Sequence, residues 1–316
     1  MNTINTAYIE RALELARMGE IGAHPNPMVG AVIAGPDGRI IGEGYHQTCG
    51  QAHAEVNAVA DADRRGADLT DATIYVTLEP CAHWGKTPPC ARLIIDRRIP
   101  RCVIGTTDPF AKVSGRGIAM LREAGVEVTV LDGDIARRCR ELNRRFFTAH
   151  TLKRPYVALK WAMTADGFVD RRRRPDEQPL AISSAAGRIA VHRYRSTFDA
   201  IAVGSTTLLA DRPRLDARLW PGGRAPQRVA FTRGDLTAQL GALYADGITS
   251  LLVEGGPTLQ QSFIDAGLVD EMRIETSPLT IGSGIAAPRP DAAGYVSAPS
   301  SSRHIKILLK PEPYRL

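Results

Sequence analysis

The stretch "HAEVNAV" at residues 53–59, followed one predicted helix and strand later by "LEPCAHWGKTPPC" at 78–90, gathers His53, Glu55, Cys81 and Cys90 into two short, turn-rich windows. Zinc in a catalytic site takes three protein ligands and keeps a fourth position for water. His53, Cys81 and Cys90 supply that count. Glu55 stands two residues after His53, at the start of a predicted helix, where it reaches the water position without being a ligand. Both cysteines follow Pro80 at the N-terminal edge of the next predicted helix, where the positive dipole end favours thiolate. A lone histidine or a lone cysteine pair is more often packing than metal. Here the whole set occurs together in strand and helix context, and three ligands with a neighbouring carboxylate fit an open catalytic site better than a closed structural one.

Working outward, 316 residues are enough for two domains, each able to bury a core. The chain is 44% hydrophobic and 23% charged, and no apolar run approaches the ~20 residues that span a bilayer. No membrane role is expected. The opening "MNTINTAYIERALELARMGE" lacks the basic-then-apolar build of a signal peptide, so the expected compartment is the cytoplasm. An odd cysteine number, five, argues against a disulfide framework. Cys49, Cys102 and Cys139 show no clustering and read as small fillers. The net charge of +6 is scattered apart from "RRRR" at 171–174, which reads as a solvated loop. Anionic small molecules suit that charge.

The first half alternates predicted elements: a helix over 4–18, strands "VGAVIAG" and "RIIGEGYH", helix "HAEVNAVADADRRG", strand "TIYVTL", helix "PCARLIIDRR", strand "RCVIGT", helix "GRGIAMLREAG" and strand "VEVTVL". This rhythm predicts an α/β sandwich with a parallel or mixed sheet. A helical, arginine-rich stretch, "DIARRCRELNRRFFTAH", leads to a boundary near 147–153, with domains expected over 1–147 and 153–316. The second half restarts with "KRPYVALKWAMTADGFVD". Helices follow over 184–196, 235–246 and from 257, with strands "FDAIAVG", "QRVAF", "SLLVEGG", "DEMRIET" and "HIKILLK".

H-x-E with a later P-C-x-x-C is the signature of zinc deaminases of nucleobases, the glutamate acting as general acid and base. This chain carries H-A-E and Pro-Cys, but its second cysteine comes nine positions after the first instead of three. With that wide spacing, "HPNPMVGAV", "GEGYHQ", "HAEVNA", "TLEPCAHWGKTPPC" and "TTDPFAKVSGRG" closely resemble the bifunctional riboflavin-biosynthesis family, a diaminohydroxyphosphoribosylaminopyrimidine deaminase joined to a 5-amino-6-(5-phosphoribosylamino)uracil reductase. The resemblance covers nearly the whole chain. It implies a cytidine-deaminase-like three-layer α/β domain followed by a shortened dihydrofolate-reductase-like α/β domain. It further implies zinc on His53, Cys81 and Cys90, proton transfer by Glu55, pyrimidine contact by Asn26, and ribose-phosphate contacts from His83, Lys86 and Thr87.

In the second half, "LKWAMTADGFV", with Lys160, Met163, Thr164 and Asp166, "VHRYRS", "VGSTTLLADRPRLDAR" and "LLVEGGPTLQQSFIDAGLVDE" resemble the family's reductase segments. The resemblance implies that Arg195, Leu215, Arg218 and Glu254 hold the phosphoribosylamino-uracil. It assigns NADPH to Met163, Thr207, Asp211 and the turn Gly255, Gly256, Pro257, Thr258 and Leu259. A Gly-Gly turn between strand and helix lets backbone amides approach a phosphate. The sequence departs from the family in two places. Only "TRGDLTAQLGALYADGIT" separates "QRVAF" from "SLLVEGG", where a further strand and connection are usual, and Asp216 replaces a usual threonine. The leading expectation is the bifunctional enzyme acting on small phosphoribosylaminopyrimidines as a homodimer or higher homo-oligomer, with no nucleic-acid partner. A second reading keeps the deaminase and makes the second half an inactive, dimerising scaffold. A third is a nucleic-acid-binding or editing zinc deaminase, which lacks an aromatic-rich basic platform here.

Overall fold

The first helix, α1 (Thr6–Arg17), begins where Asn5 accepts a hydrogen bond from the Ala7 amide, and its Ile9, Ala12, Leu13 and Ala16 stripe is buried. A computed structural model describes residues 5–84, 88–110, 114–174, 177–204, 207–208, 213–300 and 302–311. The chain divides into two units, Met1–Thr151 and Leu152–Leu316.

Unit one holds β1 (Gly30–Ala34), β2 (Ile40–Tyr45), α2 (Ala54–Arg64), β3 (Thr73–Val76), α3 (Cys90–Asp96), β4 (Arg101–Ile104), α4 (Arg116–Glu123), β5 (Glu127–Val130), α5 (Gly133–Leu142) and α6 (Arg144–Leu152). Its sheet has the order β2-β1-β3-β4-β5, with β1 antiparallel to both neighbours and β3, β4 and β5 parallel. One face is covered by Ala54, Ala58 and Ala62 of α2, Ala91 and Ile94 of α3, and Ile118 and Leu121 of α4. The other is covered by Ile9, Ala12 and Leu13 of α1 with Cys139 of α5. The result is three layers. Gly42 and Gly44 of β2 set how closely α2 approaches the sheet. A Cβ on Gly42 would stand 2.4 Å from the Ala58 carbonyl oxygen, and one on Gly44 2.4 Å from the Ala58 nitrogen. That contact anchors the helix whose N-cap is His53.

Two predicted elements differ from expectation. The single helical stretch over 134–150 is two helices broken at Asn143, whose side chain accepts from the Met28 amide and donates to the Met28 carbonyl, both at 2.8 Å. Cys81 is also not at the edge of a helix in sequence. Only Cys90 is, as the first residue of α3, although its amide donates to the Cys81 sulfur at 3.3 Å and so brings Cys81 to that helix end in space.

Unit two contains β6 (Tyr156–Met163), β7 (Phe168–Asp170), α7 (Ala185–Arg195), β8 (Ala200–Val203), β9 (Gln227–Ala230), α8 (Leu236–Ala245), β10 (Ser250–Glu254), α9 (Pro257–Asp265), β11 (Glu271–Thr276), β12 (Ile285–Ala286), β13 (Val296–Ala298) and β14 (Ile305–Leu309). Its seven-stranded sheet runs β13-β14-β11-β6-β10-β8-β9, parallel from β11 to β9 and antiparallel at β14 and β13. Leu240 of α8 and Phe263 of α9 pack one face, and Tyr194 of α7 packs with Tyr156, Phe198 and Leu252 on the other. Between β9 and β10 lies α8 and no further strand, as the short interval in the sequence requires. Among the described residues no helix is long and apolar enough to cross a membrane.

Candidate active sites

In unit one the metal-ligand candidates converge. The His53 Nδ1 lies 3.7 Å from the Cys81 sulfur and 3.3 Å from the Cys90 sulfur, and the three ligand atoms all fall within 4.8 Å of one another. A tetrahedral zinc with ordinary Zn–N and Zn–S bonds separates its nitrogen and sulfur ligands by roughly 3.6 Å. The two observed distances bracket that value, so the donor set fits zinc in size as well as in type.

Glu55 is buried in the first turn of α2. Burial, reinforced by the charge on Cys81, pushes its carboxyl up to about 7. The two thiols share a hydrogen bond that, as its largest effect, pulls Cys81 down to about 4 and pushes Cys90 well up. The Cys81 bond, in turn, raises His53. In the metal-free protein Cys81 is the thiolate, while Cys90 keeps its proton and His53 holds one more readily than usual. Zinc must displace those protons. Zinc binding is therefore expected to release protons and to strengthen as pH rises, which titration calorimetry in buffers of different ionisation enthalpy measures. Affinity independent of pH between 6 and 8 would contradict the assignment.

Asn26 lies beside this cluster in a chain of contacts not foreseen from the sequence. Its Nδ2 is 3.2 Å from Nε2 of His46, whose Nδ1 is 3.1 Å from the Ala52 carbonyl. The Ala52 carbonyl accepts only, so Nδ1 carries the proton and Nε2 accepts from the Asn26 amide. Burial lowers the His46 pKa, which favours this neutral ring. Asn26 thus keeps its carbonyl oxygen for another partner. The ring of His46 meets that of His53 edge-on, with centroids 5.3 Å apart. "GEGYHQ" contained His46, but only the fold brings it to Asn26.

Glu79 was also missed. It is buried, and one carboxylate oxygen accepts from the amides of Gly117 at 3.0 Å and Ile118 at 3.3 Å. The other accepts from Gly115 at 3.0 Å and Asp108 at 3.2 Å. Glu79 therefore ties the start of α4 and the Asp108 backbone to the turn that carries Cys81. Asp108 is itself buried, and burial pushes its carboxyl up to about 7. His83 lies exposed beyond the first cysteine. Lys86 and Thr87 lie outside the described residues.

In unit two, four of the expected substrate residues gather at the ends of α7 and β10. Arg195 donates to both carboxylate oxygens of Glu254, at 3.0 and 2.6 Å, and to the Asp216 carbonyl at 3.1 Å. Leu215 is buried with φ +54, a left-handed conformation that costs a non-glycine residue energy and here turns the backbone between Arg214 and Asp216. Arg218 donates to the Asp216 carboxylate at 2.7 Å. Gly255 and Gly256 both adopt left-handed φ, +77 and +70. A Cβ on either would lie 3.3 Å from the Thr207 side chain, tighter than ordinary contact, and the left-handed φ strains any residue with a Cβ, so the turn favours glycine at both positions. Pro257, Thr258 and Leu259 open α9, whose N-terminus has no side-chain cap and leaves its amides available to an anion. Met163 ends β6. Thr164 accepts from the Phe168 amide, and Asp166 accepts from the amides of Ile281 and Gly282. Asp211 lies outside the described residues. The glycine cradle and the uncapped helix fit the pyrophosphate of a dinucleotide.

Residues 2–106 match the cytidine and deoxycytidylate deaminase zinc-binding region. The RibD C-terminal domain is matched in two stretches, 155–234 and 229–297, which overlap at the end of β9 and the start of the short interval after it. The riboflavin biosynthesis protein RibD of Actinobacillus pleuropneumoniae is 36% identical over 325 residues, spanning 87% of this chain and 84% of that protein. The Aquifex aeolicus protein of the same name is 35% identical, spanning 89% of each. The solved structure of a diaminohydroxyphosphoribosylaminopyrimidine deaminase/5-amino-6-(5-phosphoribosylamino)uracil reductase from Thermotoga maritima is similar with a TM-score of 0.82 at 34% identity, covering 96% of this chain and 97% of that one. Fold and site together define a zinc-type, cytidine-deaminase-like domain joined to a dihydrofolate-reductase-like domain. The chain belongs to the RibD family of bifunctional riboflavin-biosynthesis enzymes.

Proposed function

We propose that the first unit deaminates 2,5-diamino-6-(5-phosphoribosylamino)pyrimidin-4(3H)-one to 5-amino-6-(5-phosphoribosylamino)uracil, and that the second reduces the ribosyl group of this product to a ribityl chain with NADPH. The observation that carries the reading is the buried Glu55 next to the converged His53, Cys81 and Cys90. Zinc held by those three residues supplies the Lewis acidity that makes water nucleophilic near neutrality. Glu55 takes a proton from the attacking water and passes it to the ring nitrogen. It then takes the second proton from the hydroxyl added to the ring carbon and delivers it to the exocyclic amine; the carbonyl forms as the carbon–nitrogen bond breaks and ammonia leaves. Asn26, oriented by His46, presents its carbonyl oxygen to the pyrimidine's N–H groups. His83, Lys86 and Thr87 meet the ribose phosphate.

In the second unit, Arg195, Leu215, Arg218 and Glu254 hold the uracil intermediate. Met163, Thr207, Asp211 and the Gly255–Leu259 turn hold NADPH, which supplies the hydride. The reading includes a cytoplasmic location and a homodimer formed through the reductase unit; support for the latter is the family resemblance together with the exposed outer strand β9. Sedimentation at several protein concentrations tests the dimer. A coupled assay tests the chemistry: the zinc-loaded protein receives the diaminopyrimidine ribotide, ammonia release is followed, and NADPH oxidation is read after its addition. Both signals are expected. Ammonia without NADPH oxidation would reduce the second unit to a scaffold.

A further inference from the structure

Asp216 holds its carboxylate between two arginines in the reductase unit. Its Oδ1 accepts from Arg218 Nη1 at 2.7 Å and lies 3.9 Å from Nδ1 of His192, and its Oδ2 is 3.0 Å from Arg214 Nε. Its backbone carbonyl meanwhile accepts from Nη1 of Arg195, whose Nε and Nη2 donate to Glu254. Asp216, Arg214 and Arg228 line one open cleft together with Leu215, Ala225 and Pro226. The cleft has the makings of an anion site, but its own carboxylate already engages Arg214 and Arg218.

Those two arginines are solvent-accessible, with side chains 71% and 47% exposed, so their bonds to Asp216 exchange readily. An incoming phosphate must share the guanidinium donors with Asp216 and also tolerate its charge nearby. We propose that Asp216 is a built-in competitor for the phosphate of the reductase substrate, and so a specificity-determining residue that weakens capture of phosphorylated sugars. The proposal rests on the reading that this site takes a phosphoribosyl group. A carboxylate that merely held the two arginines in place would instead strengthen phosphate binding. The two roles differ in sign.

The experiment compares the full-length protein with Asp216→Asn, which keeps shape and one acceptor while removing the charge, and with Asp216→Thr. Titration with inorganic phosphate and with ribose 5-phosphate is expected to show affinity at least ~10-fold tighter in both variants, equivalent to about 1.4 kcal/mol. The gain should shrink as salt is raised, and unphosphorylated ribose should show none. In turnover the effect should fall on KM for the uracil intermediate more than on kcat. Circular dichroism and a melting curve of each variant report that the second unit is folded. Equal or weaker phosphate binding in both variants overturns the proposal. Tighter phosphate binding without NADPH oxidation by any of the three proteins would sink the reductase reading and leave the competitor role standing. NADPH oxidation with unchanged KM and unchanged phosphate affinity would do the reverse.

Discussion

Glu55→Gln is expected to retain zinc at the wild-type stoichiometry and to lose ammonia release by about 10²- to 10⁴-fold, the usual contribution of a positioned general acid and base. The substitution keeps the size of a side chain buried at the first turn of α2, and Glu55 is not among the three residues whose ligand atoms converge, so metal content should not change. What is lost is a group able to accept a proton. Burial holds the Glu55 carboxyl up to about 7 in the metal-free protein, and a dication next to it draws that value down. The working form is the carboxylate, so activity should rise with pH and level off below pH 7. In the glutamine variant this acid limb should vanish from whatever residual rate survives. Metal analysis beside a pH profile checks both points. A variant that loses its zinc would make Glu55 a ligand or a structural support, and one that retains turnover would remove it from the mechanism.

The contrast between Glu55 and Glu79 shows which parts of the site were readable from the chain. His53 and Glu55 are two residues apart, and Cys81 and Cys90 share one short loop, so their chemistry could be inferred from spacing alone. Glu79 lies in the same quoted window, but its partners are backbone amides 29 to 39 residues away, and amides carry no residue-type signature. His46 was likewise visible as a residue and invisible as a partner of Asn26 until β2 and the turn after α1 were placed.

Secondary structure failed for a related reason. The helical pattern across 134–150 is continuous, yet Asn143 takes both of its side-chain hydrogen bonds from Met28, 115 residues away, and the helix breaks there. Tertiary contacts overrode local propensity. The short strands β12 and β13, of two and three residues, are mostly exposed and show no alternation to detect. In the reductase unit the resemblance placed Arg195, Leu215, Arg218 and Glu254 in one region. The Arg195–Glu254 fork and the left-handed Leu215 arise only in the folded chain. Asp216 was legible as an anomaly, a carboxylate where a threonine is usual, but whether it helps or opposes an anion depends on which donors it engages.

Glu79→Ala should be the most damaging single change to the first unit outside the metal ligands. The carboxylate satisfies four amides, of which those of Asp108, Gly117 and Ile118 belong to buried residues. Truncation leaves these donors unpaired, at ~1–3 kcal/mol each, a loss of at least ~3 kcal/mol. For a unit of this size that corresponds to a melting point lower by roughly 6–12 °C. Function should suffer beyond the stability loss, because Glu79 follows β3 directly and precedes the Pro80-Cys81 turn. With α4 and Asp108 untied from that turn, Cys81 loses its fixed approach to His53 and Cys90, so zinc should dissociate faster and ammonia release should fall at temperatures well below the melting point. Glu79→Gln separates the two effects. Its carbonyl can still serve one pair of amides, while its NH₂ group opposes the other pair, so a smaller fall in melting point should accompany an intermediate zinc off-rate. If Glu79→Ala melts like the wild type, the carboxylate's four bonds are replaced by solvent and the tie is not structural. If it melts early but keeps zinc and full turnover when cold, Glu79 stabilises the unit without positioning the metal site.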